Sequence, residues 1–169
     1  MALTQVQGGM ILASGQSIPK AALPTGSVLQ VVSTTSTTTF TSTSTSPVDI
    51  TGVSVTITPT NSSNKVMIFF TCAASASNSL NFYLNRNGTN INLGSGGSSK
   101  NATICSVPTG NSAYMFSYAL NFLDSPATTS AVTYKIQADT DGGTFYINRR
   151  GSDTLFASPA TITVMEIAA

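Results

Sequence analysis

Apolar and polar residues alternate with period two along most of this chain, the pattern of strands with one buried face. Val53, Val55 and Ile57 alternate with Ser54, Thr56 and Thr58, and Leu80, Phe82 and Leu84 with Asn81, Tyr83 and Asn85. Val132, Tyr134, Ile136 and Ala138 alternate with Thr133, Lys135, Gln137 and Asp139. Tyr114, Phe116, Tyr118, Leu120 and Phe122 share one parity and predict a long strand with an aromatic face. Residues 27–33 and 160–167 predict the first convincing strand and the last, which ties the C-terminus into the sheet. Residues 65–74 run apolar without alternation, and at that length between turn signals they predict a strand buried on both faces. The Thr/Ser tract 34–46 predicts a polar peripheral strand, because a branched Cβ favours extended backbone. A further short strand is expected over 102–107, before Pro108.

Turn residues join these strands. Asn87-Gly88 is the strongest short hairpin signal in the chain and sets Leu84 opposite Ile91 and Phe82 opposite Leu93. Asp141-Gly142 predicts a second hairpin over 132–148, with Ala138 opposite Phe145 and Ile136 opposite Ile147. Asn61-Ser62-Ser63-Asn64 and Asp124-Ser125-Pro126 are turn composition, and 94–101 reads as a Gly/Ser loop. No helix of ordinary length is expected. Eight to ten short strands at regular spacing imply an all-β antiparallel sandwich of jelly-roll type. Residues 1–25 show no period. Either an extended anchoring arm or a frayed terminus fits them, with Met10–Ala13 and Ile18 as anchor points.

Composition changes the picture of the surface. Charged residues are 8% of the chain against about 25% in ordinary domains, while 41% are apolar. Serine and threonine make up roughly three residues in ten, so the solvent faces are clothed in hydroxyls rather than charge. Such a surface defends sheet edges poorly, which favours an oligomer that covers them. A net charge of +1 leaves no electrostatic footprint for nucleic acid or an anionic membrane. A signal-peptide pattern is missing from the start, and no apolar run reaches membrane-spanning length.

The chemistry of catalysis is thin. There is no histidine, and Glu166 is the only glutamate. The remaining carboxylates are Asp49, Asp124, Asp139, Asp141 and Asp153, all but Asp49 beside turns or in loops. Asp139-Thr140-Asp141-Gly142-Gly143 has a faint likeness to a calcium loop but lacks its spaced ligands and terminal glutamate, so a turn is favoured. Cys72, in an apolar run, is expected as a buried free thiol, and neither it nor Cys105 has a histidine partner. Arg149-Arg150 beside Tyr146 suit a carboxylate or phosphate, against the plainer reading of a solvated loop. The expectation is a protein that is not an enzyme, with no catalytic, cofactor-binding or metal site.

Several stretches resemble a bacteriophage virion module found in tail-fibre-like and other surface proteins, notably of marine and cyanobacterial phages. They are Pro24-Thr25-Gly26-Ser27-Val28-Leu29-Gln30-Val31-Val32-Ser33 opening into a Thr tract, Asp49-Ile50-Thr51-Gly52-Val53-Ser54-Val55-Thr56-Ile57-Thr58-Pro59, Phe122-Leu123-Asp124-Ser125-Pro126-Ala127, Tyr134-Lys135-Ile136-Gln137, Tyr146-Ile147-Asn148-Arg149 and Ile162-Thr163-Val164-Met165-Glu166-Ile167. The resemblance covers about residues 24–169. It implies a β-sandwich of the tumour-necrosis-factor or complement-C1q shape, trimeric and displayed on a virion as fibre tip, spike or capsid decoration. Residues 1–25 would then grip another virion protein (capsid, portal, tail or fibre base), and 26–169 would form the sandwich domain. Host-surface glycans are the expected further partner, through loops 85–88, 94–101 and 149–153. Tyr114, Tyr118 and Tyr146 are candidates for a contact between subunits. The alternative is a soluble ligand-binding module of the same shape outside any virion.

Overall fold

The computed structural model describes residues 23–95, 101–106 and 111–169. Most of the arm expected over residues 1–25 therefore lies outside the described residues, as do the middle of the 94–101 loop and residues 107–110. The described chain forms strands β1 (Val28–Ser36), β2 (Phe40–Ser42), β3 (Val48–Ile57), β4 (Lys65–Ala76), β5 (Leu80–Arg86) and β6 (Thr89–Ile91). After these come β7 (Ile104–Ser106), β8 (Phe116–Asp124), β9 (Val132–Asp139), β10 (Phe145–Ile147) and β11 (Ala160–Ile167). No helix occurs among the described residues.

The strands form two antiparallel sheets. In the first, β1, β11, β4 and β8 lie side by side, and β10 and β2 continue from the C-terminal end of β4. In the second, β3, β9 and β5 are neighbours, and β6 and β7 share the far edge of β5. From β3 onward the chain passes back and forth between the sheets, which is the order of a jelly roll.

The core lies between the sheets. Val66, Ile68, Phe70 and Cys72 of β4 and Ile162 and Val164 of β11 face Val53, Val55 and Ile57 of β3, Leu80, Phe82 and Leu84 of β5, and Tyr134 and Ile136 of β9. The period-two reading thus selects the core face of β3, β8 and β9, while Tyr114 falls outside β8 and β5 is buried on both faces. Cys72 is free and buried, and burial pushes its thiol up to about 12. Just beyond β1 and β11 the Gly26 amide donates to the Ala168 carbonyl and the Ala168 amide to the Ser27 carbonyl, which ties in the C-terminus.

Three expectations are corrected. Residues 132–148 are not a hairpin, because β9 pairs with β3 and β5 while β10 pairs with β4 and β2. Gly142 and Gly143, both at positive φ, carry the chain across the core from one sheet to the other. Ala138 and Phe145 are both fully buried in opposite sheets, an arrangement that alternation cannot distinguish from side-by-side pairing. In the 80–93 hairpin Leu84 does meet Ile91, but Phe82 meets Ile104 of β7 rather than Leu93. Asn92 adopts a left-handed φ of 52° there and ends β6, and Thr103 takes over, its hydroxyl accepting from the Leu84 amide at 2.9 Å. Finally, β4 is buried on one face only: Lys65, Phe69 and Thr71 on the other side are exposed, with Met67 between them half-buried.

Candidate functional site

The outer sides of the sheets differ sharply. On the second sheet, Asp49 accepts from Lys135 Nζ and Gln137 Nε2, each at 2.6 Å. Asp139 accepts from Asn81 Nδ2 at 2.9 Å and from the Tyr83 hydroxyl at 3.0 Å. Thr56 and Thr133 share a hydrogen bond, and Asn85 bonds Asn90. Lys135 holds the Asp49 carboxyl below its ordinary value, against the raising effect of partial burial. Burial, reinforced by Asp139, raises the Tyr83 hydroxyl. This face is a cross-strand network, open to water around Asp49 and Thr56 and buried around Asn81, Tyr83, Asn85 and Asp139.

On the first sheet the registers place Val31 beside Met165, Met165 beside Met67, and Met67 beside Leu123. These four side chains form an apolar row across four strands, on the side away from the core. Val31 is 54% exposed and Leu123 43%, and Phe69, one step along β4, is 39% exposed. Next along come Ser33, Thr163 and Asn121, and then Thr35, Thr161, Thr71 and Ala119. Lys65 is the only charged residue that the strands of this face turn outward. At the adjoining edge, β8 leaves Phe116 40% exposed and Leu120 and Phe122 only half-buried.

Buried carboxylates close one end of the sandwich, around the start of β4. Asp124 accepts from Arg86 Nη1 at 2.8 and 2.9 Å and from the Tyr134 hydroxyl at 2.7 Å, joining β8 to β5 and β9. Glu166, fully buried, accepts from Gln30 Nε2, the Thr60 amide and Asn64 Nδ2 at 2.6 Å each, and from the Thr60 hydroxyl at 2.8 Å. Burial alone would raise its carboxyl, but these donors outweigh burial and hold it below the ordinary value. Asp124 thus lacks the turn-side exposure that its place in the sequence suggested, and both carboxylates act as ties between elements.

At the other end, residues 149–157 form a loop with a closed neck. The Ser158 amide donates to the Asn148 carbonyl at 3.0 Å, and Arg149 bridges Ala157. Asn148 sits at a left-handed φ of 63°, and its side-chain amide donates to the Ser36 and Thr38 carbonyls, 3.1 Å each. The Gly151 amide donates to the Ser112 carbonyl at 2.7 Å, and a Cβ at Gly151 would collide with the Tyr146 ring and Ser112. Arg149 stacks over Tyr146 at 5.0 Å from the ring centre. Arg150 lies over Phe156 at 4.3 Å and forms an ion pair with Asp153. Compact loops with closed ends are frequently functional.

Of the three loops expected to bind glycans, 85–88 and 149–153 lie at opposite ends of the sandwich. The 85–88 turn lies at the Asp124 end, where Arg86 is held, whereas 149–153 follows Ile147 at the other end of β4. Of the 94–101 loop only the flanks are described, with the Gly94 amide donating to the Ala102 carbonyl. Tyr118 is buried, its hydroxyl bonded to Ser106, while Tyr146 is half-buried and Tyr114, outside β8, is 60% exposed. Among the described residues no group of three His, Cys, Asp or Glu side chains is placed to hold a metal ion. What sequence reasoning missed is the pairing of Tyr114 with the 149–157 loop and the role of Phe156. The apolar-aromatic step Leu155-Phe156, inside an otherwise polar loop, was its only signal.

No protein-family model matches the chain, and no curated protein matches it. Among solved structures it is similar to a chain in the structure of infectious bursal disease virus Gx strain. That similarity has a TM-score of 0.40 and 15% identity, covering 94% of this chain and 47% of the other. The chain thus spans about half the length of the structure it matches. Strand order and core define an all-β sandwich of jelly-roll order with one polar and one apolar outer face.

Proposed function

We propose that this chain is a non-enzymatic structural protein of a bacteriophage virion, displayed on the particle surface and assembled from several copies of itself. The apolar row Val31, Met165, Met67 and Leu123 carries this reading. The run 65–74 has the composition of a strand covered on both sides, yet the described residues cover only one side. A second copy is the occupant that fits. The strands of this face turn no charge outward but Lys65, so copies meet there with little like-charge repulsion.

Area decides between arrangements. Four strands about nine residues long span roughly 15–20 by 25–30 Å, a footprint of about 500 Å². That falls short of the roughly 800 Å² per partner of a standard interface. A closed ring, in which the apolar β8 edge of one copy meets the outer face of the next, gives each copy two patches and so buries more per copy in total than a single face-to-face contact. Three copies is the number the resemblance implies.

Residues 1–25 are the anchor to another virion protein in this reading. Leu23 lies beside Thr60, Asn64 and Ala169 at the Glu166 end, opposite the 149–157 loop. A chain held at the first end presents the loop outward, toward a host cell. Immunogold labelling of particles from the producing host, with antibody to this chain, tests the reading: gold at discrete points on capsid or tail is expected, and gold-free particles would contradict it.

A further inference from the structure

On the outer side of the first sheet lies a cleft of about 380 Å³. Thr71 and Ala73 of β4, Ser117 and Ala119 of β8, and Ser158 and Pro159 just before β11 line it. The sheet is interrupted there, because β11 pairs with β4 only as far as Thr71 and β10 begins only at Ala74. Small side chains at 73, 117 and 119 leave the depression unfilled, and none of these residues is charged. A cavity of about 150 Å³ accommodates benzene, so the cleft has room for one aromatic side chain. The Ser158 hydroxyl is buried and has no hydrogen-bond partner among the described residues. Groups of that kind are rare in folded proteins, so the occupant that completes the site has an apolar body and a polar tip.

The chain carries such a group at the same end. Of the three tyrosines expected at a contact between subunits, Tyr118 is buried and bonded to Ser106, and Tyr146 is half-buried beneath Arg149. Tyr114 remains, 60% exposed, and in its own chain it borders Phe156 rather than this cleft. In a closed ring the β8 edge of one copy meets the outer face of the next. Rotation about an axis along the strands preserves height, so surfaces that meet must lie at one end of the sandwich. Tyr114 leads into β8, whose first residue Phe116 pairs with Ala74, and the cleft surrounds the neighbouring Ala73. The two are therefore level.

We propose that Tyr114 of each copy seats in this cleft of the next, its ring against Ala73, Ala119 and Pro159 and its hydroxyl on Ser158. Tyrosine is among the residues that dominate contacts between proteins, because its ring buries area while its hydroxyl keeps a partner. The inference deepens the assembly reading and rests on it for the ring.

The test is photocrosslinking of the full chain with p-benzoylphenylalanine at position 114, which keeps an aromatic ring there. A band at two or more times 17.4 kDa is expected, with the crosslink mapped by mass spectrometry to residues 71–73, 117–119 or 158–159 of the second copy. By sedimentation, Tyr114→Ala should weaken association at least about tenfold, and Tyr114→Phe, which loses only the hydroxyl, by less. Crosslinks between copies that map elsewhere, or a Tyr114→Ala chain that associates as tightly as the native one, would overturn the contact and leave assembly through the outer face standing. A native chain that sediments as a monomer removes the ring, and the contact with it.

Discussion

On the outer side of β9, Gln137 and Lys135 both reach Asp49 at 2.6 Å, whereas on the outer side of β11 Met165 meets only Val31 and Met67. The two sheets enclose the same core and meet their surroundings in opposite ways. One outer face is cross-linked by side-chain hydrogen bonds, exposed around Asp49 and buried around Asn81, Tyr83 and Asp139. The other has hydroxyl pairs such as Ser33 with Thr163 and Thr35 with Thr161 toward one end, and thioether and aliphatic groups at the other. A chain this poor in charge has few means of keeping such a face apart from other molecules. The contrast supports the proposal that copies associate through the first sheet.

The polar face is where single substitutions should cost the isolated fold most. Asp139→Ala removes the acceptor of the buried Asn81 amide and Tyr83 hydroxyl. Urea unfolding should show a loss of about 2–4 kcal/mol, with the assembled mass unchanged. A loss under about 0.5 kcal/mol would show that the network is ornament.

A smaller effect is expected from Glu166, on the inner side of the strand whose outer side carries Met165. Its carboxyl titrates below the ordinary value of 4.5 when folded, so its stabilisation is fully present above that pH. It is lost as pH falls through the lowered folded value. Thermal melts of the native chain should drop more steeply below about pH 4.5 than those of Glu166→Gln, which cannot titrate. Parallel profiles would contradict this role. Smaller still, Lys135→Ala breaks a pair whose Asp49 side chain is 53% exposed, and should cost less than about 1 kcal/mol, shrinking with salt.

Much of this fold was legible because strand alternation reports burial directly. Residues 160–167 match the last strand, and Asn87-Gly88 turns where expected, with both residues at positive φ. The arch at Gly142-Gly143 was not legible. Ala138 and Phe145 are apolar whether they sit side by side or face each other across the core, and only the competing partners β3, β5 and β4 decide. The candidate site was half legible: the double arginine stood out, but its placement beside Tyr114 depends on Gly151 contacting Ser112, nearly forty residues away. The misreading of 65–74 proved informative for the opposite reason. Its apolar outer side is real, and nothing in the described single chain covers it.

Sedimentation velocity on the full chain at micromolar concentration tests the central claim most directly, run beside Met67→Lys and Leu123→Lys on the apolar face and Gln137→Lys on the polar one. The account predicts a native mass that is a multiple of 17.4 kDa, three copies by the resemblance, retained in Gln137→Lys. It predicts 17.4 kDa with unchanged β-sheet circular dichroism in the two apolar-face variants. A native chain that sediments as a stable 17.4 kDa monomer, or apolar-face variants that keep the native mass, would contradict it.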